Sequence, residues 1–278
     1  MNSRKAASKA VALWCWYHGT GFKGYQSQPG LRTVQDTLIQ GLRDAHLSRN
    51  PVPAGRTDAG VHARMQVLVM RVPEPIAAED VATRLDQMLP DDVGVCLSRP
   101  APPRFHPQWK AEAKEYRYRL ALRASDAWAP YSWRVDVEPA AVLEVLRSAV
   151  GTRDFWAFHD KSSGRQPRTV RSVEGAIADD GIYELVLRGD GFARYMVRYL
   201  VGGAVGVVRG EVAAHDYQRA LAEAVEFQGV RAPAQGLTLW EVRWPEGLDP
   251  FTPAERTAAA GLPPGPPFMT QAAAAPGR

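Results

Sequence analysis

The string Ala54-Gly55-Arg56-Thr57-Asp58-Ala59-Gly60-Val61-His62-Ala63 sets a carboxylate and a guanidinium two residues apart, between two glycines. Glycines permit the tight backbone such a loop needs. A neighbouring cation favours the ionised form of the acid. A carboxylate held that way can attack carbon or remove a proton. By residue type and spacing alone, an ordinary turn with Arg56 as a surface partner is the commoner meaning of such a string, since Asp and Gly dominate turns. Two further residues have chemical potential. Tyr116 lies in the alternating run EYRYRLAL, where Tyr116, Tyr118, Leu120 and Leu122 share one face and Arg117 and Arg119 the other. Such a tyrosine is either core or a flat platform for a base taken out of its stack. Arg198 stands at the border of the helical stripe Val197, Leu200, Val201, Ala204, Val205 and Val208, with Arg194 nearer the middle. A border arginine reaches to solvent or along a cleft floor towards a carboxylate.

The elements that would position these residues follow from hydrophobic period. Residues 11–17 read as a strand. Thr33 then reads as the N-cap of a helix bearing Val34, Leu38 and Leu42. A proline-flanked loop, residues 51–63, leads into a dense apolar strand at 66–72. A helix with Val81, Leu85 and Met88 on one face follows, then a strand at 93–97. This order predicts a sheet with helices packed against it. The proline-rich stretch PAPPRFHPQ marks a boundary. Beyond it the spacing predicts a helix over 140–150, strands at 170–177 and 182–187, helices over 192–208 and 215–227, and a last strand at 237–242. The expected organisation is a short flexible start (1–10), a first α/β domain (11–105) holding the loop at 54–63, a second α/β domain (106–248), and a flexible Ala/Pro/Gly-rich tail (249–278) with too little apolar surface to offset its ordering entropy.

Composition narrows the function class. A chain of 278 residues with 45% hydrophobic and 23% charged content is ordinary for a globular protein. No apolar run approaches the roughly 20 residues of a membrane span, and residues 11–17 are too short for a secretory core, so a cytoplasmic location is expected. Cys15 and Cys96, far apart in strand-like runs, read as buried thiols rather than a disulfide or a metal pair. A net charge of +4 tilts the chain towards a polyanionic partner. Neither common phosphate-binding glycine pattern occurs. His62 and His106 read as turn or core residues. Arg117, Arg119, Arg165, Arg168 and Arg171 are candidates to track phosphates.

At the level of the whole string, GRTDAGVHA resembles the signature of the tRNA pseudouridine synthase A family. GTGFKGYQSQPGLRTVQDTL upstream resembles family blocks in the same order, as do LPDDVGV, FHPQWKAEAKEYRYRL, DFWAF, GDGFARYMVRYLVG and APAQGLTL downstream. The resemblance covers about residues 13–244. It implies two α/β domains, each a mainly antiparallel sheet with helices on one face, and a basic cleft between them. It implies isomerisation of uridine to pseudouridine at positions 38, 39 or 40 of the tRNA anticodon stem-loop, by a homodimer, with no cofactor and no metal. Position by position, Asp58 matches the catalytic aspartate and Tyr116 the tyrosine that packs against the uracil. Arg198 matches the basic residue that pairs with the aspartate, and Arg56 a motif arginine linked to RNA contact.

The chain departs from the family pattern at His18 (usually aspartate), Met65 (usually glycine), Asp86 (often asparagine) and Gln108 (commonly arginine). These positions avoid Asp58, Tyr116 and Arg198, and bear instead on RNA contacts of the first half. Two other functions fit parts of the pattern. One is a silent RNA-binding protein. The other is a hydrolase, which would need a second placed carboxylate, for which Asp36, Asp86, Asp91 and Asp92 are the candidates.

Overall fold

The computed structural model describes residues 7–47, 51–123, 126–162, 164–179 and 181–268. The fold is mixed α/β with mostly antiparallel strands. Contacts group the chain into two compact units, Met1–Glu112 with Glu241–Pro263, and Ala113–Trp240 with Pro264–Arg278. The division falls between Glu112 and Ala113, a few residues beyond the proline-rich stretch. Among the described residues no helix is long and apolar enough to cross a membrane.

In the first unit, β1 (Ser8–Tyr17) lies between β3 (His62–Pro73) and β4 (Val93–Pro100), antiparallel to both. Every side chain from Val11 to Tyr17 is buried, which accounts for the unbroken apolar run: a strand covered on both faces loses the polar half of its alternation. β2 (Val52–Pro53) pairs with β3 through Val52 and Val69. Residues 54–61 are therefore the loop of a short hairpin. Thr33 caps α1 (Val34–Asp44), its hydroxyl accepting the Asp36 N–H. α2 (Asp80–Asp86) is tied to β4 by Ser98, which accepts the Ala82 N–H at 2.8 Å, and by Asp86, which accepts the Val95 N–H at 2.8 Å. Val81 and Leu85 are buried as their spacing predicts. Met88 lies past the end of the helix and is exposed.

In the second unit, β5 (Ala113–Ala121) pairs with β9 (Ile182–Gly189), β9 with β8 (Arg168–Asp179), and β8 with β7 (Gly151–Arg153), all antiparallel. β6 (Trp133–Arg134) adds a short parallel pairing to the end of β5. α3 (Pro139–Arg147) packs on β8 and α4 (Met196–Val208), and α5 (Ala214–Glu223) on α4. β10 (Leu237–Arg243) carries the chain back to the first unit.

Three expectations meet a different structure. The helix expected from residue 192 starts at Met196, because Tyr195 adopts a left-handed backbone (φ 66°) and breaks the helical path. Arg119, a candidate to track phosphates, is fully buried. It pairs with Glu184 at 2.8 Å and donates to Thr238 and to the Pro267 carbonyl. Burial pulls its pKa down to about 10, with Glu184 opposing that shift. A guanidinium so enclosed is structural, not a phosphate contact. The segment from 249 on, expected as a flexible tail, is ordered through residue 268. Phe251 packs edge-on to Trp14 at 5.8 Å, and α6 (Pro253–Ala258) opens with a reciprocal Thr252–Glu255 capping box. Arg256 pairs with Asp249 and Glu241, and Arg99 with Glu255. Ion pairs thus supplement the small apolar content that suggested disorder. The last ten residues of the expected tail lie outside the described residues.

Candidate active site

The Arg56-Thr57-Asp58 triplet is clamped from both sides by uncharged groups. On one side the Gln66 side chain reads both polar groups of Gly55, accepting its N–H at 3.3 Å and donating to its carbonyl at 2.6 Å. On the other, the Thr57 carbonyl accepts the Tyr25 N–H at 3.0 Å. Between them the buried Thr57 hydroxyl meets the Tyr17 hydroxyl at 2.8 Å, and Gln66 also donates to Tyr17. Burial raises the Tyr17 pKa far above its ordinary value, so the phenol keeps its proton and can donate. The residues alternate: Arg56 is exposed, Thr57 points inward as the anchor, and Asp58 is half-buried.

Asp58 also begins a tight turn. Its carbonyl accepts the Val61 N–H at 3.1 Å, and Gly60 at the third turn position has φ 81°, the geometry of a type II turn. Glycine is required at that position because a side chain there would be strained. Two upstream glycines fit the loop from outside. A Cβ on Gly19 would lie 2.2 Å from the Val61 carbonyl oxygen, and one on Gly24 would lie 3.1 Å from the Thr57 oxygen. Backbone thus lies against backbone along the whole loop, which gives GTGFKGY a physical role. His62 is buried and its Nδ1 accepts the Gly19 N–H at 3.0 Å, a structural role that fixes which ring nitrogen is unprotonated. His106 Nδ1 likewise accepts the Gln108 and Trp109 N–H groups.

Tyr116 and Arg198 belong to the second unit. Tyr116 sits on β5 opposite Leu187, 9% exposed, its ring edge-on to Phe192 at 5.3 Å. Lys114, two residues earlier and so on the same face, is held down to about 8 by burial and by the charge of Arg168. Arg198 lies in the first turn of α4. It is buried, its Nε donates to the Ala232 carbonyl at 2.7 Å, and its own carbonyl accepts the Ala232 N–H at 3.0 Å. Arg194, expected nearer the apolar stripe, precedes the helix and is exposed. The four candidates therefore divide evenly, with Asp58 and Arg56 in one loop of the first unit and Tyr116 and Arg198 on two elements of the second.

Sequence reasoning missed the clamp. Tyr17 and Gln66 carry no local signal, because each lies in an apolar strand, Tyr17 reaching a loop 40 residues along the chain and Gln66 the loop of its own hairpin. Three of the four carboxylates that a hydrolase might recruit are committed elsewhere. Asp36 accepts from the Thr33 hydroxyl, Asp86 from the Val95 N–H, and Asp92 pairs with Arg32 at 2.6 Å. Among the described residues no cluster of three or more His, Cys, Asp or Glu side chains could hold a metal ion.

Residues 145–245 match the sequence model of a family described as tRNA pseudouridine synthase. Curated proteins named tRNA pseudouridine synthase A are similar over most of the chain. The one from Geobacillus kaustophilus is 36% identical over 81% of this chain and 91% of its own length. That from Bacillus subtilis is 34% identical over 81% and 95%, and that from Geobacter sulfurreducens 36% over 85% and 100%. Among solved structures, an archaeal box H/ACA sRNP Nop10–Cbf5 complex superposes with a TM-score of 0.34 at 14% identity, covering 76% of this chain and 58% of that one.

Proposed function

Because this chain belongs to the tRNA pseudouridine synthase A family, and so isomerises uridine in tRNA, we propose that it acts at positions 38 to 40 of the anticodon stem-loop with Asp58 as its essential carboxylate. In that reaction the N1–C1′ bond breaks and the C5–C1′ bond forms. The C5 proton leaves and N1 takes one up, so atoms and electrons balance without a cofactor. The observation that carries the reading is the clamped Gly55–Gly60 loop in a chain so similar to those synthases. A carboxylate whose backbone is fixed on both sides meets its target without reorganising.

The other roles follow the same resemblance. Tyr116 packs against the uracil and assists loss of the ring proton, Arg198 pairs with the aspartate, and Arg56 contacts the RNA. The target base must leave its stack at a cost of a few kcal/mol, offset by stacking and phosphate contacts. The enzyme works as a homodimer in the cytoplasm. A strictly monomeric active species in sedimentation would remove the dimer from this proposal.

The test is tritium release from tRNA labelled at uracil C5. Wild type is expected to release tritium with no free uracil, and Asp58→Asn to lose on the order of 10³-fold or more of the rate. No release from wild type while tRNA binding persists would turn the reading to a silent RNA-binding protein. Free uracil or cut RNA would turn it to a hydrolase. In the same assay, Tyr116→Phe that completes product release at the full rate would limit Tyr116 to packing.

A further inference from the structure

Three guanidinium groups surround one ring at the start of α4. The Cζ of Arg231 lies 4.3 Å from the Tyr195 ring centroid, that of Arg194 4.6 Å and that of Arg198 5.5 Å. Such a contact draws a cation to the ring face without neutralising it. Tyr195 is itself held. Its backbone is left-handed, a conformation that strains a non-glycine residue and persists only where surroundings impose it. Its hydroxyl accepts from Arg194 at 2.8 Å.

The three arginines are not equivalent. Arg194 pairs with Asp160 at 3.1 Å, and its carbonyl accepts the Asp160 N–H. Arg198 is buried and bonded to Ala232. Arg231 is exposed, and among the described residues it makes no hydrogen bond or ion pair. Its backbone is nevertheless anchored. The neighbouring Ala232 bonds Arg198 twice, and residues 230–232 lie directly on α4, where a Cβ on Gly202 would fall 1.9 Å from the Val230 carbonyl oxygen. A fixed guanidinium, uncompensated by any carboxylate and facing solvent, is built to receive an anion.

We infer that Tyr195 is a positioning residue that sets Arg231 apart from Arg198, so that Arg231 takes a backbone phosphate of the tRNA while Arg198 serves the reaction. Arg194, neutralised by Asp160, braces the ring. The inference rests on the tRNA reading and supplies a binding contact that the catalytic residues do not.

The experiment measures tRNA affinity at several salt concentrations for wild type, Arg231→Gln, Tyr195→Leu, Tyr195→Phe and the Arg231→Gln/Tyr195→Leu double variant. Arg147→Gln, which removes an exposed charge paired with Glu144 on α3, is the reference. Loss of one phosphate contact in Arg231→Gln is expected to weaken binding roughly threefold to tenfold and to reduce the slope of log affinity against log salt by about 0.7–0.9. Tyr195→Leu is expected to match it, the double variant to be no weaker than either single, and Tyr195→Phe to keep the slope, because the ring remains. An unchanged slope in Arg231→Gln, or an equal loss in Arg147→Gln, overturns the inference, as does a double variant with additive losses. Should Tyr195→Leu fail to fold, Arg231→Gln against Arg147→Gln still decides. Wild type that binds tRNA but releases no tritium fails the functional reading alone, and active wild type with the slope untouched by Arg231→Gln fails this inference alone.

Discussion

The loop that holds Asp58 and the ring that holds Arg231 solve one problem by opposite means. Each fixes a charged group at the end of irregular backbone. The loop backbone on either side of Asp58 is held by neutral groups, the Gln66 amide on Gly55, the Tyr17 hydroxyl on Thr57 and glycine backbone pressed against the loop. Around Tyr195 the fixing is electrostatic, with three guanidiniums on one ring and one carboxylate among them. Neutral hydrogen bonds to the loop backbone and to Thr57 are indifferent to ionic strength. Cation–ring contacts hold an arginine where a carboxylate would have neutralised it. The first arrangement is thus sensitive to shape, and the second to salt.

The largest effect expected from this contrast comes from Gly19→Ala. The new Cβ would meet the Val61 carbonyl at 2.2 Å, against backbone that cannot rotate away. The hairpin loop must shift, and a displacement of about 1 Å at a reacting group costs on the order of 10²-fold in rate. Single-turnover tritium release is expected to fall by that order, while the salt dependence of tRNA binding keeps its slope. A rate within twofold of wild type would show that the loop tolerates displacement, and the contrast in rigidity would go with it.

Tyr17→Phe is the gentler probe of the same loop. It removes one hydroxyl and leaves the Thr57 hydroxyl buried without that partner, a loss of about 1–3 kcal/mol. The change should be read in the urea midpoint, unaltered by added salt. A midpoint that recovers in high salt would mean that charge, not neutral bonding, organises the clamp.

What the sequence revealed depended on how local the cause was. The glycine-bracketed Arg-Thr-Asp string, the buried β1 run and the Thr33 cap were legible because each is written in a few adjacent residues. The burial of Arg119 was not, since its partner Glu184 is on β9 and alternation along β5 alone marks it as outward. The start of α4 was misplaced for a similar reason. Nothing in the run GFARY signals that a tyrosine takes the left-handed position glycine normally fills, and the arginines that accompany it come from both sequence neighbours and residue 231. The order in residues 251–268 was hidden because composition counts apolar surface and overlooks a capping box and the pairing of Arg256 with Asp249.

The smallest expected effect concerns pH, and it belongs to the loop side of the contrast. His18, where the family usually has aspartate, adjoins Gly19 and sits edge-on to Trp16 at 5.5 Å and His62 at 6.3 Å. Burial lowers its pKa below the ordinary 6.5, and Asp92 only partly opposes that. The unfolded chain therefore binds a proton near pH 6.5 that the folded chain resists, and stability falls as pH drops through and below that value. His18→Gln removes the titrating group but keeps the backbone bond from residue 18 to the Asp92 carbonyl. The wild-type urea midpoint should then decline more steeply than that of His18→Gln between pH 7 and 5, with the two profiles parallel above pH 7. Coincident profiles would take His18 out of the account. A steeper decline that Arg231→Gln also abolished would show the two regions to be coupled, and the division between a shape-sensitive loop and a salt-sensitive ring would no longer hold.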